Sequence, residues 1–366
     1  MNVPYIDLGI QHKLIINELV KEIEGVLTSG QFILGSYVGK FEQQFARICQ
    51  TSYAAGVANG TDALVLAMKA MGIGPGDEVI TAPNSFLSSA SSIVLAGARP
   101  VFADVREDFN IDPEKIEAAI TPRTKGIIAV HLTGRPAPMN EINSLAKKHG
   151  LTVIEDAAQS VGAEYYNQRT GSLGDIGCFS FHPLKNLSAC GDGGMITTND
   201  KNVYEKILML RNHGLKSRDE CEVWSVNSRL DALQAAILNA KINYLETWTE
   251  RRRYLASLYQ KELHNYVKTP VDSPFEKAVY HTFIIQTNKR DALKEHLQKE
   301  GIDTRVHYPV PIHLQESAKE LGYQQGSFPV TEKMAGEILS LPIFPELTDE
   351  QIRYCIHQIK SFFDEC

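Results

Sequence analysis

The chain has 366 residues, enough for two domains with buried cores, and its 37 basic and 44 acidic side chains give a formal net charge of −7. The basic residues are mixed with acidic ones rather than clustered, which argues against nucleic acid as a partner. The six cysteines lack CxxC or zinc-site spacing, no segment has the length and apolarity of a membrane span, and the N-terminus lacks a basic leader; we therefore expect a soluble, unprocessed cytoplasmic protein without a metal centre, disulfides or membrane attachment.

Between about residues 54 and 200, short apolar runs alternate with longer segments in which apolar residues recur three and four positions apart. The short runs predict strands at 78–82, 100–105, 126–132, 151–157, 177–181 and 194–199. The longer segments predict helices at 61–71, 86–98, 113–120 and 139–150. This alternation is typical of helices wrapped around a mainly parallel sheet, where ligands bind beyond the carboxyl ends of the strands.

A long helical pattern begins at Leu230 and continues to residue 263, which predicts a connection from a large α/β domain to a second domain. We place the boundary near residue 245, which gives a large domain over 1–245 and a small α+β domain over 246–366. The N-terminal segment can pack on the small domain. Within the small domain we expect a strand at 281–287, a helix at 291–301, a proline-rich loop at 306–313 and a closing helix at 349–363.

The segment from 177 to 199 is the most informative for chemistry. A strand ends at Ser180 and Phe181, Pro183 breaks it, and Lys185 follows in the loop before a glycine-rich turn. Burial and a neighbouring cation would lower the pKa of such a lysine and make its amine a nucleophile toward a carbonyl. A single loop lysine is more often an ordinary surface residue, so this interpretation needs partners elsewhere in the chain.

Two upstream features supply such partners. Asp156 lies at the carboxyl end of an apolar strand, where a buried carboxylate needs a cation such as a protonated pyridine nitrogen, although alone it also fits a helix cap. Asn59, Gly60 and Thr61 precede a helix, so their amides and the Thr61 hydroxyl could hold a phosphate, although alone they fit an N-cap. Ser180 could reach the same phosphate or be a turn residue.

Other functional classes fit less well. A nicotinamide dehydrogenase requires a glycine-rich turn between a strand and a helix. The glycines at 72–76 follow a helix and precede a strand, so they indicate a helix stop and a turn, and no GxxxxGK[ST] loop is present. A non-catalytic regulator that keeps the fold is a further alternative, against which the combination of Lys185, Asp156 and a phosphate site argues.

Seven segments, in order along the chain, together resemble the DegT/DnrJ/StrS-type sugar aminotransferases. These segments are GQFILGSYVGKFEQQFA, ANGTDAL, GDEVITAPNSFLSSASSIVLAGARPVFADV, VIEDAAQSVGA, SFHPLKNLSACGDGGMITT, RNHG and NSRLDALQAAIL. The resemblance covers nearly the whole chain. It implies the type I aspartate aminotransferase fold, with a mainly parallel seven-stranded mixed sheet flanked by helices and a small C-terminal α+β domain.

The resemblance also implies a cofactor, pyridoxal 5′-phosphate, which Lys185 would hold as a Schiff base while moving protons as acid and base. Asp156 would pair with the pyridine nitrogen, Gln159 would contact the ring or its hydroxyl, and Phe86 would stack on the ring. The implied phosphate ligands are Gly60, Thr61 and Ser180. Asn227 would reach the phosphate bound by a neighbouring subunit, which implies an obligate homodimer with shared active sites.

Substrate contacts are implied for His182 beside the lysine and for several residues that could equally be packing or surface positions. These are Phe32, Tyr37, Arg229, Tyr308 and His313. The implied reaction is a ping-pong transfer of an amino group from an amino acid, most simply glutamate, to the ketone of a nucleotide-linked deoxysugar.

Two positions bear on the subtype. Lys185 stands where the dehydratase members of the family have histidine, which favours transamination. Asp192, within a GDGG turn, resembles members that act on 3-keto sugars, whereas many 4-keto members have glutamate there. We therefore favour amination at C3, with a 4-keto-sugar or cyclitol aminotransferase as the alternative. The tripeptide at 182–184 departs from the tyrosine or phenylalanine versions of either branch and leaves the sugar, nucleotide and attacked carbon open.

Overall fold

The computed structural model describes residues 1–365, and Cys366, the last of the six cysteines, lies outside the described residues. A seven-stranded mixed sheet forms its centre. The strands of this sheet are β1 (Tyr53–Val57), β2 (Glu78–Thr81), β3 (Arg99–Phe102), β4 (Thr124–Val130), β5 (Thr152–Asp156), β6 (Ile176–Ser180) and β7 (Gly194–Thr198). Their order across the sheet is β1-β7-β6-β5-β4-β2-β3, and β7 runs antiparallel to both of its neighbours while β2 to β6 are parallel.

In the described part of the chain, residues 1–365, twelve α-helices accompany the strands. They are α1 (Leu8–Ser29), α2 (Ser36–Ile48), α3 (Gly60–Ala70), α4 (Ser88–Leu95), α5 (Pro113–Ala119), α6 (Met139–His149), α7 (Lys201–Leu210), α8 (Ala232–Lys241), α9 (Leu245–Leu263), α10 (Arg290–Lys299), α11 (Pro329–Glu337) and α12 (Asp349–Asp364). Short 3-10 helices occupy Leu132–Gly134, Ile242–Tyr244, Ile312–Leu314 and Glu316–Leu321. Within residues 1–365, none of the helices is long and apolar enough to cross a membrane.

A second, smaller sheet pairs β8 (Phe283–Gln286) with β9 (Ile338–Leu341) antiparallel. Shorter strands are found at Glu164–Tyr165, Gln168–Arg169, Leu215–Ser217, Glu220–Cys221 and Glu276–Lys277. The apolar faces of β8, β9, α9, α10 and α12 share one buried cluster, which also contains Val3 of the N-terminal segment. Val3 forms a backbone bridge with Ile302 and so ties the first residues of the chain to this cluster.

The largest buried cluster lies between the seven-stranded sheet and its helices. The strands β4 and β5 are almost wholly buried and rich in isoleucine and valine, as expected for parallel strands covered on both faces. The six strands predicted from the sequence are all present, as are the four helices between them, and the predicted α/β class with a mainly parallel seven-stranded sheet is confirmed.

The structure differs from the sequence-based predictions at one strand and one long helix. The strand β1, with the sequence YAAGV, is the seventh of the sheet and was not predicted because it has one β-branched residue. The helical pattern predicted from Leu230 to residue 263 is two helices, α8 and α9, joined by the 3-10 turn at Ile242–Tyr244. That turn adjoins the expected domain boundary at 245, and the boundary itself stays a prediction.

Candidate active site

A cavity of about 620 Å³ opens where three parallel strands end. Val130, Asp156 and Ser180 are the last residues of β4, β5 and β6, and all three line the cavity. Carboxyl ends of parallel strands meet at the same edge of a sheet, where open α/β folds bind their ligands. The cavity therefore lies where the sequence placed the candidate site.

Nine of the predicted site residues line this one cavity. They are Gly60, Thr61, Phe86, Asp156, Gln159, Ser180, His182, Lys185 and Tyr308. They come from segments up to 248 positions apart in the chain, from residue 60 to residue 308. The fold thus brings together an amine, a carboxylate, two hydroxyls and aromatic rings within a space that suits a small cofactor and part of a substrate.

One end of the cavity is built by the N-terminus of α3. The Asn59 side chain accepts a hydrogen bond from the Asp62 N–H at 2.8 Å, which caps the helix and leaves the N–H groups of Gly60 and Thr61 without helical partners. A Cβ on Gly60 would lie 2.8 Å from the Ser180 Cβ, so glycine is what permits this close approach. Free amides, the helix dipole and the hydroxyls of Thr61 and Ser180 are suited to a phosphate dianion.

Asp156 is buried and held from two sides. Its Oδ2 accepts a hydrogen bond from the Ser89 hydroxyl at 2.8 Å, and its Oδ1 accepts one from the Ala158 N–H at 3.3 Å. The neighbouring residue, Glu155, is also buried, but its carboxylate accepts hydrogen bonds from backbone N–H groups of the loop at 171–174. Successive side chains in a strand point to opposite faces, so only Asp156 of these two acids is directed toward the cavity.

Lys185 lies in the loop between β6 and β7. Its N–H donates to the His182 carbonyl at 2.8 Å, and the following residue, Asn186, donates from Nδ2 to the Val279 carbonyl at 3.0 Å, which anchors the loop. Burial lowers the pKa of the Lys185 ammonium to about 8, although the charge of Asp156 acts in the opposite direction. A lysine with such a pKa has a far larger neutral fraction near neutral pH than a free lysine and can attack a carbonyl.

Aromatic and amide side chains complete the middle of the cavity. The rings of Phe86 and Tyr308 lie 5.8 Å apart between centroids, tilted by 46°. Gln159 accepts a hydrogen bond from the Thr133 N–H at 2.8 Å, which fixes its side chain. Burial, followed by the charge of Asp156, raises the pKa of the Tyr308 hydroxyl to about 12, while a hydrogen bond with Gln159 opposes the shift.

Two histidines on the cavity wall were not predicted from the sequence. Burial, reinforced by the charge of Lys185, lowers the pKa of His281 well below its usual value and that of His307 to about 4. Their Nδ1 atoms hydrogen-bond with Asn186 Oδ1 at 3.2 Å and Ser340 Oγ at 2.9 Å, respectively. Both are neutral at physiological pH, so they can exchange hydrogen bonds with a substrate without adding charge.

The other predicted contacts do not line this cavity within one chain. Phe32 is exposed, Tyr37 packs against the cluster around α2 and α8, and Asn227 is exposed in a backbone bridge with Asn212. Arg229 donates to the Asn212 side chain at 3.0 Å.

His313 is fully buried elsewhere. Its Nε2 hydrogen-bonds with Glu332 at 3.0 Å, and its ring packs edge-on against Phe328. A substrate role for His313 stays a prediction that would require this buried contact to open, whereas His307, six residues earlier, already faces the cavity.

The residues of the cavity fit pyridoxal 5′-phosphate in three respects. The cradle of Gly60, Thr61 and Ser180 suits the phosphate, and the buried carboxylate of Asp156 suits a protonated ring nitrogen. Lys185 provides an amine of lowered pKa for the aldehyde. Cofactor enzymes of this kind use the protein to position the reactive atom and to tune the ring through such partners.

Comparisons with known proteins agree with this fit. The sequence model of the DegT/DnrJ/EryC1/StrS aminotransferase family matches residues 13–360. A "pleiotropic regulatory protein" of Geobacillus stearothermophilus is 46% identical, with 99% of each chain aligned. A UDP-N-acetyl-3-dehydro-alpha-D-glucosamine 3-aminotransferase of Acidithiobacillus ferrooxidans is 45% identical over 96% of this chain and 95% of its own. The solved structure of Streptomyces venezuelae DesV, a ketimine complex, is 40% identical with a TM-score of 0.97 over 99% of both chains.

Proposed function

The chain belongs to the DegT/DnrJ/EryC1/StrS aminotransferase family and is a pyridoxal-phosphate-dependent sugar aminotransferase acting on nucleotide-linked keto sugars, and we propose that it aminates carbon 3 with L-glutamate as donor. The observation that carries the catalytic assignment is that Lys185, Asp156 and the phosphate cradle line one cavity. The position of the ketone and the identity of the donor rest on fewer residues.

The chemistry at the site divides between the cofactor and the protein. When bound, pyridoxal phosphate supplies a ring that accepts electrons from the carbon that loses its proton. Lys185 Nζ would attach the cofactor covalently, and its free amine would transfer protons as general base and acid. Asp156 would hold the proton on the ring nitrogen, and the α3 N-terminus would anchor the phosphate.

Amination at carbon 3 is supported by two observations. Asp192 in the GDGG turn lines the cavity, and the sequence of this turn resembles that of family members that act on 3-keto sugars. The A. ferrooxidans relative is named a 3-aminotransferase.

The test of this position is a panel of nucleotide-linked 3-keto and 4-keto sugars, each incubated with holoenzyme and L-glutamate, with 2-oxoglutarate formation followed. We expect turnover with the 3-keto sugars, and Asp192→Glu should reduce it. Turnover confined to the 4-keto sugars would overturn the C3 assignment and leave the aminotransferase assignment intact.

A regulatory role is the second candidate, because the G. stearothermophilus relative carries a regulatory name. Mixing the holoenzyme with L-glutamate alone separates the two functions. An aminotransferase converts its cofactor in this half-reaction, so the visible absorbance band of the lysine-bound cofactor should be replaced by the near-ultraviolet band of the aminated form. A band unchanged by every amino acid tested would favour the regulator.

We further propose a homodimer in which Asn227 and Arg229 act at the neighbouring subunit's site. The support is that both residues lie away from the cavity of their own chain, on a segment next to the exposed side chains of Val223, Trp224 and Val226. An exposed tryptophan among apolar residues is typical of a surface that another protein covers.

A further inference from the structure

Two serine hydroxyls form a hydrogen-bonded line to Asp156, with Ser85 in the cavity wall and Ser89 outside the residues that line the cavity. Ser85 Oγ lies 2.7 Å from Ser89 Oγ, and Ser89 Oγ lies 2.8 Å from Asp156 Oδ2. All three residues are buried, with 4%, 0% and 7% of their surfaces exposed. The line is therefore shielded from solvent, where hydrogen bonds to a charged group are strongest.

The direction of the hydrogen bonds follows from counting protons. An ionised carboxylate only accepts, so the single hydroxyl proton of Ser89 goes to Asp156 Oδ2. Ser89 then has no proton left for Ser85, so Ser85 is the donor in the second bond. The line runs one way, from Ser85 through Ser89 to Asp156, and each bond polarises the next toward the carboxylate.

We propose that Ser89 is a positioning residue for the cofactor, with Ser85 as its own support. Ser89 stabilises the negative charge of Asp156 and fixes the carboxylate plane, and the charged carboxylate in turn keeps the ring nitrogen protonated. This inference rests on the proposed role of Asp156. It extends the site to the hydroxyl of Ser85, in the cavity wall just before α4, and to that of Ser89, the second residue of α4.

A neighbouring serine on the same helix shows the contrast. Ser92 is as fully buried as Ser89, but its hydroxyl lies 3.5 Å from the Ser89 carbonyl, one helical turn back. Bonds of that kind are what buried helical serines ordinarily make. Ser89 instead contacts a side chain 67 positions away in the sequence, at the end of β5. Ser92 is therefore the matched control, because its loss removes a buried hydroxyl without affecting Asp156.

The experiment compares Ser89→Ala, Ser89→Thr, Ser92→Ala and wild-type holoenzymes. The first readout is the pH midpoint of the visible absorbance change of the lysine-bound cofactor, and the second is the single-turnover rate with L-glutamate. In Ser89→Ala the ring nitrogen holds its proton less firmly, so the midpoint should move to higher pH. The rate should fall about tenfold or more, as expected for losing a hydrogen bond to a charged group.

Ser89→Thr keeps the hydroxyl and should restore both readouts to near wild-type values, and Ser92→Ala should match wild type. If Ser89→Ala does not fold, Ser85→Ala serves instead, because it removes the cavity-wall hydroxyl that donates to Ser89 and should shift both readouts less, in the same direction. The proposal is overturned if Ser89→Ala matches Ser92→Ala in both readouts, or if Ser89→Thr does not restore the wild-type values. Where Ser85→Ala is used in place of Ser89→Ala, a match between Ser85→Ala and Ser92→Ala in both readouts overturns the proposal.

The variant Asp156→Ala separates an error in the role of Ser89 from an error in the proposed function. Asp156→Ala should slow the half-reaction by several orders of magnitude while cofactor still binds. A slow Asp156→Ala variant beside an unaffected Ser89→Ala variant would overturn the role of Ser89 alone. An Asp156→Ala variant with normal rates would overturn the assigned role of Asp156 itself.

Discussion

At the scale of single residues, the role proposed for Lys185 depends on its ionisation. Its pKa of about 8 results from burial, which disfavours the charged ammonium. The depression to about 8, rather than lower, agrees with the nearby charge of Asp156, which favours the ammonium. The pKa of Lys185 is thus lowered because of where the loop after β6 places it, a property that the amino-acid type alone does not carry.

Replacing Lys185 by alanine should remove the visible band of the bound cofactor and lower the turnover rate at least about a thousandfold. The reason is that, among the described residues 1–365, no other side-chain amine lines the cavity. Absorbance spectroscopy and a coupled assay of 2-oxoglutarate measure the two effects. Normal turnover by Lys185→Ala would refute the assigned mechanism.

The lowered pKa predicts how fast apoenzyme captures pyridoxal phosphate. Below pH 8 the reactive neutral amine is the minor form, and its population rises about tenfold per pH unit. Capture, followed by stopped-flow absorbance, should therefore accelerate up to about pH 8 and then level off. Lys185→Ala is the control that shows no covalent capture. A rate that keeps rising to about pH 10 would mean that Lys185 titrates like a free lysine.

At the scale of elements, the junction of α3 with the end of β6 forms the proposed phosphate cradle. Gly60 begins α3 directly against Ser180, the last residue of β6, and a side chain at position 60 would force the two elements apart. The geometry explains why glycine stands at the first position of a helix, where it otherwise has no conformational advantage over alanine.

Gly60→Ala should weaken pyridoxal phosphate binding about tenfold or more, because its Cβ would lie 2.8 Å from the Ser180 Cβ. Gly39→Ala, in α2, is the matched control, since nothing lies within 4 Å of the added Cβ. That control should bind cofactor normally and stabilise the protein by about 0.5–1 kcal/mol. Fluorescence titration of each apoenzyme measures the affinity, and equal affinities for both variants would exclude the cradle.

At the scale of the whole molecule, Asp104 connects the segment after β3 to α11. Its carboxylate accepts hydrogen bonds from the N–H groups of Val330 and Thr331, both at 3.0 Å, and from the Thr331 hydroxyl at 2.8 Å. Phe328, at the N-cap of α11, provides no side-chain cap, so a residue more than 220 positions earlier supplies it. The first turn of α11 carries the positive end of the helix dipole, which favours this carboxylate.

Asp104→Ala should lower the free energy of unfolding by about 2 kcal/mol, because it leaves the buried N–H of Thr331 and the half-buried N–H of Val330 without a partner. Thr331→Val removes only the hydroxyl bond and should cost about half as much. Urea denaturation of the apoenzymes measures both. If Asp104→Ala is no less stable than Thr331→Val, the distant cap does not stabilise the protein.

The proposed homodimer can be tested by its molecular mass and by the sharing of site residues between subunits. Light scattering should give twice the mass of one chain, and Asn227→Ala should bind pyridoxal phosphate more weakly than wild type. Mixed dimers of Lys185→Ala and Asn227→Ala subunits should recover activity, because one of the two shared sites then receives both intact residues. A fully active monomer would rule out sharing.

The sequence by itself determined the alternation of strands and helices, the order of the motifs and therefore the residues at the strand ends. Asp156 and Ser180 could be predicted because buried strands have a clear pattern and parallel strands present their carboxyl ends at one edge. The strand β1 could not, since its alanines and glycine carry no strand preference and its place is fixed by pairing with β7.

Only the tertiary structure decided which residues from after position 245 face the cavity. The loop at 306–313 contains His307, Tyr308 and His313, and its prolines give it no periodicity from which an inward face could be predicted. The structure turns His307 and Tyr308 toward Lys185 and buries His313 against Glu332. Local patterns fix what a segment can form, whereas contacts between distant segments fix which of its side chains meet, and those contacts exist only once the chain has folded.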